Sequence, residues 1–325
     1  MSVDTSRQNN LDFIRLFAAF MVLFAHSFAL TGTRHVGGID TGTLGVLIFF
    51  SASGFLITRS YARNPNWKTF LKARLLRIIP ALIPLVLLCA FVLGPLVTTL
   101  PLSEYFAERH TYSYLKNAIP VNMQYPLPGV FSTNPNTAVN GSLWTLSHEL
   151  KCYLAVLILG VCGILRSKWL RPLSVLAFVL GCVVLMGAEF AGNKGITMQM
   201  AFLSGAVYYV WWKQIPQNIS LAIAATLILA AGIYFGYMAY AWYFVGPYAL
   251  LFWAYYKPLK LWRFTQNGDI SYGVYIYAFP IQQWLVWYTG GTISAWANFI
   301  CTAILVVPFA WASWHGLEKR ALALK

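Results

Sequence analysis

Apolar runs of about twenty residues follow one another along the chain, each bounded by short polar or basic stretches, and no segment longer than about 40 residues lacks one. About 20 mostly apolar residues is the length at which a helix crosses a bilayer. The pattern predicts ten such stretches, at 11–31, 42–61, 78–100, 142–163, 173–191, 195–212, 219–236, 238–256, 270–288 and 295–314. The expected fold is therefore all-α: a polytopic integral membrane helical bundle of about ten transmembrane helices, forming one transmembrane domain over residues 1–325. The third and fourth stretches are separated by a long segment, 101–141, with prolines at Pro101, Pro120, Pro126, Pro128 and Pro135. A segment so rich in proline cannot be helical throughout, and long ordered loops tend to act as lids over functional sites. A plain mobile tether is the other reading of it.

Composition turns this pattern into an exclusion. The chain is 59% apolar and 10% charged, with a mean hydropathy of +0.62, whereas a soluble domain carries about 25% charged residues. It is too apolar to be a soluble enzyme carrying one anchor, because apolar stretches span its whole length. The net charge of +14 does not imply nucleic acid as a partner, since no soluble basic face exists to bind it. Distribution of the charge is more informative. With both termini in the cytoplasm, 17 of the 23 Lys and Arg fall on that side, including Arg7, the six from Arg59 to Arg77, Arg166, Lys168, Arg171 and Lys213. Arg34, Arg109, Lys116 and Lys194 fall outside, and Arg15 and Lys151 lie within spans. Loops rich in Lys and Arg stay on the cytoplasmic side. Asp12 and Arg15 interrupt the first apolar run, so it reads as a retained helix rather than a cleaved leader. The five cysteines all lie in apolar spans without metal-ligand spacing and read as packing residues, and no metal is expected.

Ionisable side chains inside apolar spans are costly and therefore carry the chemical reading. Arg15 and His26 lie eleven residues apart on the first span, three turns plus about 20° on one helical face and about 16 Å along the axis. A histidine alone on an apolar helix is more often structural than catalytic. Asp12, three residues before Arg15, reads as a helix-start acid and ion-pair partner. Glu149 enters the fourth span from outside and should lie at the depth His26 reaches from the opposite side. A carboxylate beside an imidazole is the arrangement of a general base, though a buried pair can also merely join two helices. His148 and Lys151 add charge there without an assigned role. Arg74 and Arg77, at i and i+3, share a helical face at the entrance of the third span, and their planar forks suit phosphate oxygens. With Arg15 they would form an anion pocket for a phosphorylated cofactor, although positive-inside anchoring also explains arginines at that position.

Several motifs then occur in order. They are Asn10-Leu11-Asp12-Phe13-Ile14-Arg15 with His26, residues 45–57 from Gly45 to Ile57, and the Arg74-x-x-Arg77-x-x-Pro80 run. Further along come Asn140-Gly141-Ser142-Leu143-Trp144-Thr145-Leu146 with Glu149, and Ile270-Ser271-Tyr272-Gly273-Val274-Tyr275. Over nearly the whole chain they resemble the acyltransferase-3 family of bacterial membrane proteins. The resemblance implies a ten-span inner-membrane O-acyltransferase that moves an acyl group, often acetyl, from cytosolic acyl-CoA to a hydroxyl of a cell-surface or extracellular glycan, free or lipid-linked. It implies His26 as the catalytic histidine, Glu149 as a required glutamate, and Arg15, Arg74 and Arg77 as CoA-binding arginines. Many members have a histidine where this chain has Ala278, so that histidine is dispensable here. Larger members carry a fused hydrolase-like domain, but only eleven residues follow the tenth span, which leaves the chain to work alone, as a homo-oligomer or with a separate acyl-modifying protein. Phe49, Phe50, Ser51, Ser53 and Gly54 are expected to line a path for the donor, Gly54 admitting either a neighbouring helix or the donor's arm at close range, and Tyr125, Phe131 and Asn140 to meet a sugar, although loop residues of this kind are as often plain turn formers. The competing reading is a transporter or flippase of glycan or glycolipid, which would need neither CoA nor an aligned histidine and arginine.

Overall fold

Each apolar stretch forms a helix. A computed structural model describes residues 9–33, 39–190 and 193–325, and Arg7, Arg34 and the last residue of the fifth stretch lie outside them. The ten long helices are α1 (Leu11–Leu30), α2 (Thr41–Arg63), α3 (Trp67–Leu88), α4 (Trp144–Val161), α5 (Leu170–Phe190), α6 (Lys194–Trp211), α7 (Ile219–Tyr234), α8 (Met238–Tyr255), α9 (Ser271–Tyr288) and α10 (Ala295–Ser313). Among the described residues no strand forms; one bridge pairs Thr98 with Val130. Five helical segments are long and apolar enough to cross a membrane: Leu11–Leu30, Thr41–Arg63, Trp67–Val97, Leu170–Gly187 and Ala295–Leu322. The chain is a helical membrane protein.

Two helices run well beyond their apolar stretches. α3 begins at Trp67 rather than 78, because Lys68, Lys72, Arg74 and Arg77 are good helix formers even though they are not apolar. At its other end it continues through a π-turn, Cys89–Leu93, into Gly94–Val97. The π-turn disturbs the regular ladder, and the Tyr105 hydroxyl donates to the Ala90 carbonyl at 2.7 Å. Gly94 is required beneath that ring, since a Cβ there would lie 2.0 Å from the Tyr105 hydroxyl oxygen. α10 continues through a second π-turn, Trp314–Glu318, to Lys319–Leu322.

The chain divides into two compact units, each drawn from three stretches. The first comprises Met1–Ala18, Thr43–Lys72 and His148–Asn267. Within it α7 packs on α8, while α5 and α8 both pack on α6. α2 and α6 cross at backbone contact: a Cβ at Gly54 would lie 2.0 Å from the Phe202 carbonyl oxygen, and one at Gly205 2.1 Å from that of Ser51. Ser51 donates to the Ala201 carbonyl (3.0 Å) and accepts from the Trp242 indole (2.8 Å). Ser51 is thus spent on helix packing rather than on lining a path, and Gly54 admits a neighbouring helix, one of the two close approaches expected of it. Asn10 anchors the start of α1. Its side chain donates to the Trp253 and Tyr256 carbonyls (3.1 and 3.2 Å) and accepts from the Trp262 amide, while its own amide donates to Ala254. One residue thereby satisfies three carbonyls around the end of α8.

The second unit comprises Ala19–Gly42, Ala73–Ser147 and Gly268–Lys325. α9 packs on α10, where Gly273 meets Ala310 closely enough that a Cβ would lie 2.8 Å from its Cα. The Pro-rich segment is folded. Tyr105, Tyr114, Leu127, Val130, Phe131 and Val139 are buried, and Asn117 and Gln124 are joined by two hydrogen bonds of 2.7 and 2.8 Å. Gln283 of α9 donates to the carbonyls of Asn136 (2.7 Å) and Ala138 (2.6 Å) and accepts from Asn134 (2.9 Å). Phe131, fully buried in the left-handed region at φ 53°, and Asn140, 1% exposed, face inward, so the expectation that they touch a sugar is corrected. Tyr125 is half-buried.

Candidate active site

α1 is one uninterrupted helix, so the eleven residues from Arg15 to His26 correspond to about 16 Å of rise. His26 belongs to the second unit and Arg15 to the first. The His26 imidazole is half-buried and lies edge-on to Phe279 of α9, with ring centroids 5.1 Å apart and planes at 78°. Phe279 is itself backed by Gly141, where a Cβ would lie 2.7 Å from its ring. The turn of helix carrying His26 is tied down beside it. Gln282, fully buried, donates to the Ser27 hydroxyl (2.7 Å) and the Leu23 carbonyl (2.9 Å), and exchanges hydrogen bonds with Asn298 of α10.

The segment leading into α4 is locked to α9 by the same two motifs that stand out in the sequence. Asn140 caps the 3-10 turn Gly141–Leu143 by accepting from the Ser142 amide, and donates to the Ile276 carbonyl at 2.8 Å. The Thr145 and Tyr275 hydroxyls lie 2.7 Å apart, and Tyr275 donates to the Ser142 carbonyl at 3.1 Å. Ala278, at the position where many acyltransferase-3 proteins have histidine, is buried beside Phe279.

Arg74 and Arg77 also belong to the second unit, on one face of α3, and both are half-buried. Arg77 pairs with Asp269 at 2.6 Å, faces Glu318 at 4.0 Å and lies over the Tyr272 ring at 5.9 Å. Glu318 is 1% exposed and accepts from the Ser313 hydroxyl at 2.9 Å. Asp269 accepts from the Ser271 amide at the start of α9. Arg77 is therefore a junction between α3, α9 and the end of α10, a structural duty beyond the anion-binding one expected of it.

In the first unit, Arg15 pairs with Asp12 one turn earlier, as the spacing predicts. It shares electrostatic reach of the Tyr255 hydroxyl with Arg59 and Arg63, and Arg59 donates to that hydroxyl at 3.2 Å. Glu149, half-buried on α4, accepts from the hydroxyl of Tyr153 one turn on. His148 packs against Gly195, where a Cβ would lie 2.1 Å from its ring, and faces the Gln199 amide at 3.4 Å.

The residues missed in the sequence are those that hold the chemical groups: Phe279, Gln282, Tyr153, Asp269 and Glu318. A signal for three of them was present. Gln282 and Gln283 form a polar pair inside an otherwise apolar span, and Asp269 and Glu318 are two of only nine acids in the chain.

Comparison with known proteins bears on the chemistry this arrangement serves. The sequence profile of the acyltransferase-3 family, described as an acyltransferase domain, matches residues 8–315. An O-acetyl transferase of Shigella phage Sf6 is 30% identical over 97% of this chain and 96% of its own. Nodulation protein 10 of Rhizobium leguminosarum bv. viciae is 26% identical over 99% of this chain and 95% of its own. No solved structure matches the chain.

Proposed function

Because this chain belongs to the acyltransferase-3 family and is an O-acyltransferase, we propose that it transfers an acyl group, acetyl in the first instance, from cytosolic acyl-CoA to a hydroxyl of a cell-surface or extracellular glycan. The observation that carries the proposal is a half-buried histidine on the same unbroken helix as an arginine eleven residues before it. That interval of about 16 Å is comparable to the reach of a pantetheine arm. Acetyl is chosen because a relative of similar length is an O-acetyl transferase.

In this scheme all ten helices cross the inner membrane with both termini in the cytoplasm. Arg15, Arg74 and Arg77 hold the donor phosphates. His26 takes the proton of the acceptor hydroxyl as its oxygen attacks the thioester carbonyl, the carbon–sulfur bond breaks, and the imidazolium returns the proton to the departing thiolate. Glu149, oriented by Tyr153, supplies the carboxylate that favours the imidazolium.

Sidedness separates this reading from the transporter. In proteoliposomes of known orientation, labelled acyl-CoA on the cytoplasmic face should label a glycan present only on the other. Labelling only when donor and glycan share the cytoplasmic face contradicts the proposal, as does unmodified glycan crossing without donor.

A further inference from the structure

Five basic side chains from three separate parts of the chain surround one cavity in the first unit: Arg59 and Arg63 at the end of α2, Lys168 and Arg171 around the start of α5, and Lys213 after α6. The cavity measures about 1130 Å³, and none of the residues lining it is acidic. Positive-inside bias explains why such residues share a side of the membrane; their convergence on one cavity concentrates positive charge that an anion there would offset. Their neighbours within the protein do not supply that charge. Arg59 is held by the Tyr255 hydroxyl at 3.2 Å, Arg171 lies over the Trp211 ring at 5.7 Å, and Lys168 over the Trp169 ring at 5.8 Å. Among the described residues, none of the five makes an ion pair.

A second cavity, of about 570 Å³, adjoins the first and shares Leu165, Leu170 and Val210 with it. It lies among α4, α5 and α6, and only Thr58, Lys151, Ser174 and Gln199 among its lining residues are polar. From Leu159 back to Lys151 it follows α4 for about 12 Å. Half the hydrocarbon core of a bilayer is about 15 Å. Its α5 wall is open on the outside, with Leu173, Leu176 and Leu180 exposed, so the groove faces the lipid.

We propose that the two cavities form one binding site for an anionic phospholipid, its phosphate among the five cations and an acyl chain in the apolar groove. Basic pockets between helices on the cytoplasmic side bind such headgroups. A nucleotide phosphate, including that of CoA, offers the same head chemistry but leaves the apolar groove unfilled. The pairing of basic cavity and apolar groove is what selects the lipid.

The test uses the full chain purified in detergent, with bound lipid read by native mass spectrometry after addition of phosphatidylglycerol or phosphatidylcholine. Phosphatidylglycerol should be retained in preference. The combined Lys168→Ala, Arg171→Ala and Lys213→Ala variant should lose its affinity at least about tenfold, while the charge-keeping pair Lys168→Arg and Lys213→Arg should retain it, which separates a lost site from a lost fold. Ala177→Trp, placed at an exposed alanine of the groove wall with every cation intact, should also weaken retention. Equal retention of the two lipids, an unaffected triple variant, an unaffected Ala177→Trp protein, or displacement of phosphatidylglycerol by CoA would each overturn the proposal.

Discussion

Arg74 and Arg77 stand three residues apart on one helix, and Arg77 carries a structural load besides the anion-binding role proposed for both. Arg77 balances Asp269 and faces Glu318, both mostly buried, and removing one partner of a buried pair leaves charge uncompensated. Arg77→Ala should therefore destabilise the protein by about 3 to 5 kcal/mol, seen as a lowered melting temperature. Arg74→Ala should weaken acyl-CoA binding by about 1.5 to 3 kcal/mol, the worth of a hydrogen bond to a charged group; unchanged donor affinity would remove Arg74 from the anion site. Tyr105 provides a residue-scale pH prediction. Burial pushes its hydroxyl up to about 12, so the folded protein keeps the proton that the unfolded chain begins to lose near pH 10. Its contribution is complete below about pH 10 and is lost as pH rises toward 12. Stability against alkali should decline over that window, and less steeply in Tyr105→Phe. The spacing of Arg15, Asp12, Arg74 and Arg77 could be read from helical geometry alone. The carboxylates around Arg77 could not, because they lie 192 and 241 residues further along the chain.

At the scale of elements, the apolar pattern located the ten long helices among the described residues, five of which lie in segments long and apolar enough to cross a membrane. It misjudged the start of α3, since apolarity reports where a helix enters hydrocarbon rather than where its hydrogen bonds begin. The segment 101–141 was least legible. Its order comes from Gln283, more than 140 residues away, and from Tyr105 reaching back to the π-turn. Nothing local distinguishes a buried Phe131 from an exposed aromatic ring. Gln283→Ala should accordingly speed amide hydrogen exchange across 134–139 while leaving α9 protected, whereas unchanged exchange would mean that other contacts hold the segment. The α2–α6 crossing makes a second prediction. Gly205→Leu forces a side chain into the Ser51 carbonyl and should cost about 1 to 3 kcal/mol or more as overpacking, read as a lower melting temperature.

Across the whole molecule, a helical membrane protein was legible in the apolar runs and an acyltransferase in five motifs that occur in order. The structure adds local reasons for those motifs: Asn10 caps α8, Asn140 and Thr145 lock α4's entrance to α9, and Gly273 admits α10. Much of what reads as a catalytic signature is thus scaffolding that holds a few ionisable groups in place. His26 is where that scaffolding and the proposed chemistry meet, fixed by Phe279 on one side and by the Gln282 clamp at Ser27 on the other. The most direct measurement is acyl transfer from labelled acetyl-CoA by purified His26→Ala protein in liposomes, with its melting temperature and acyl-CoA affinity measured in parallel. Transfer should fall to background, more than the roughly 100-fold expected at least for loss of a general base, while melting temperature and donor affinity stay near those of the unaltered protein. Turnover close to that of the unaltered protein would contradict the assignment of His26 as the base.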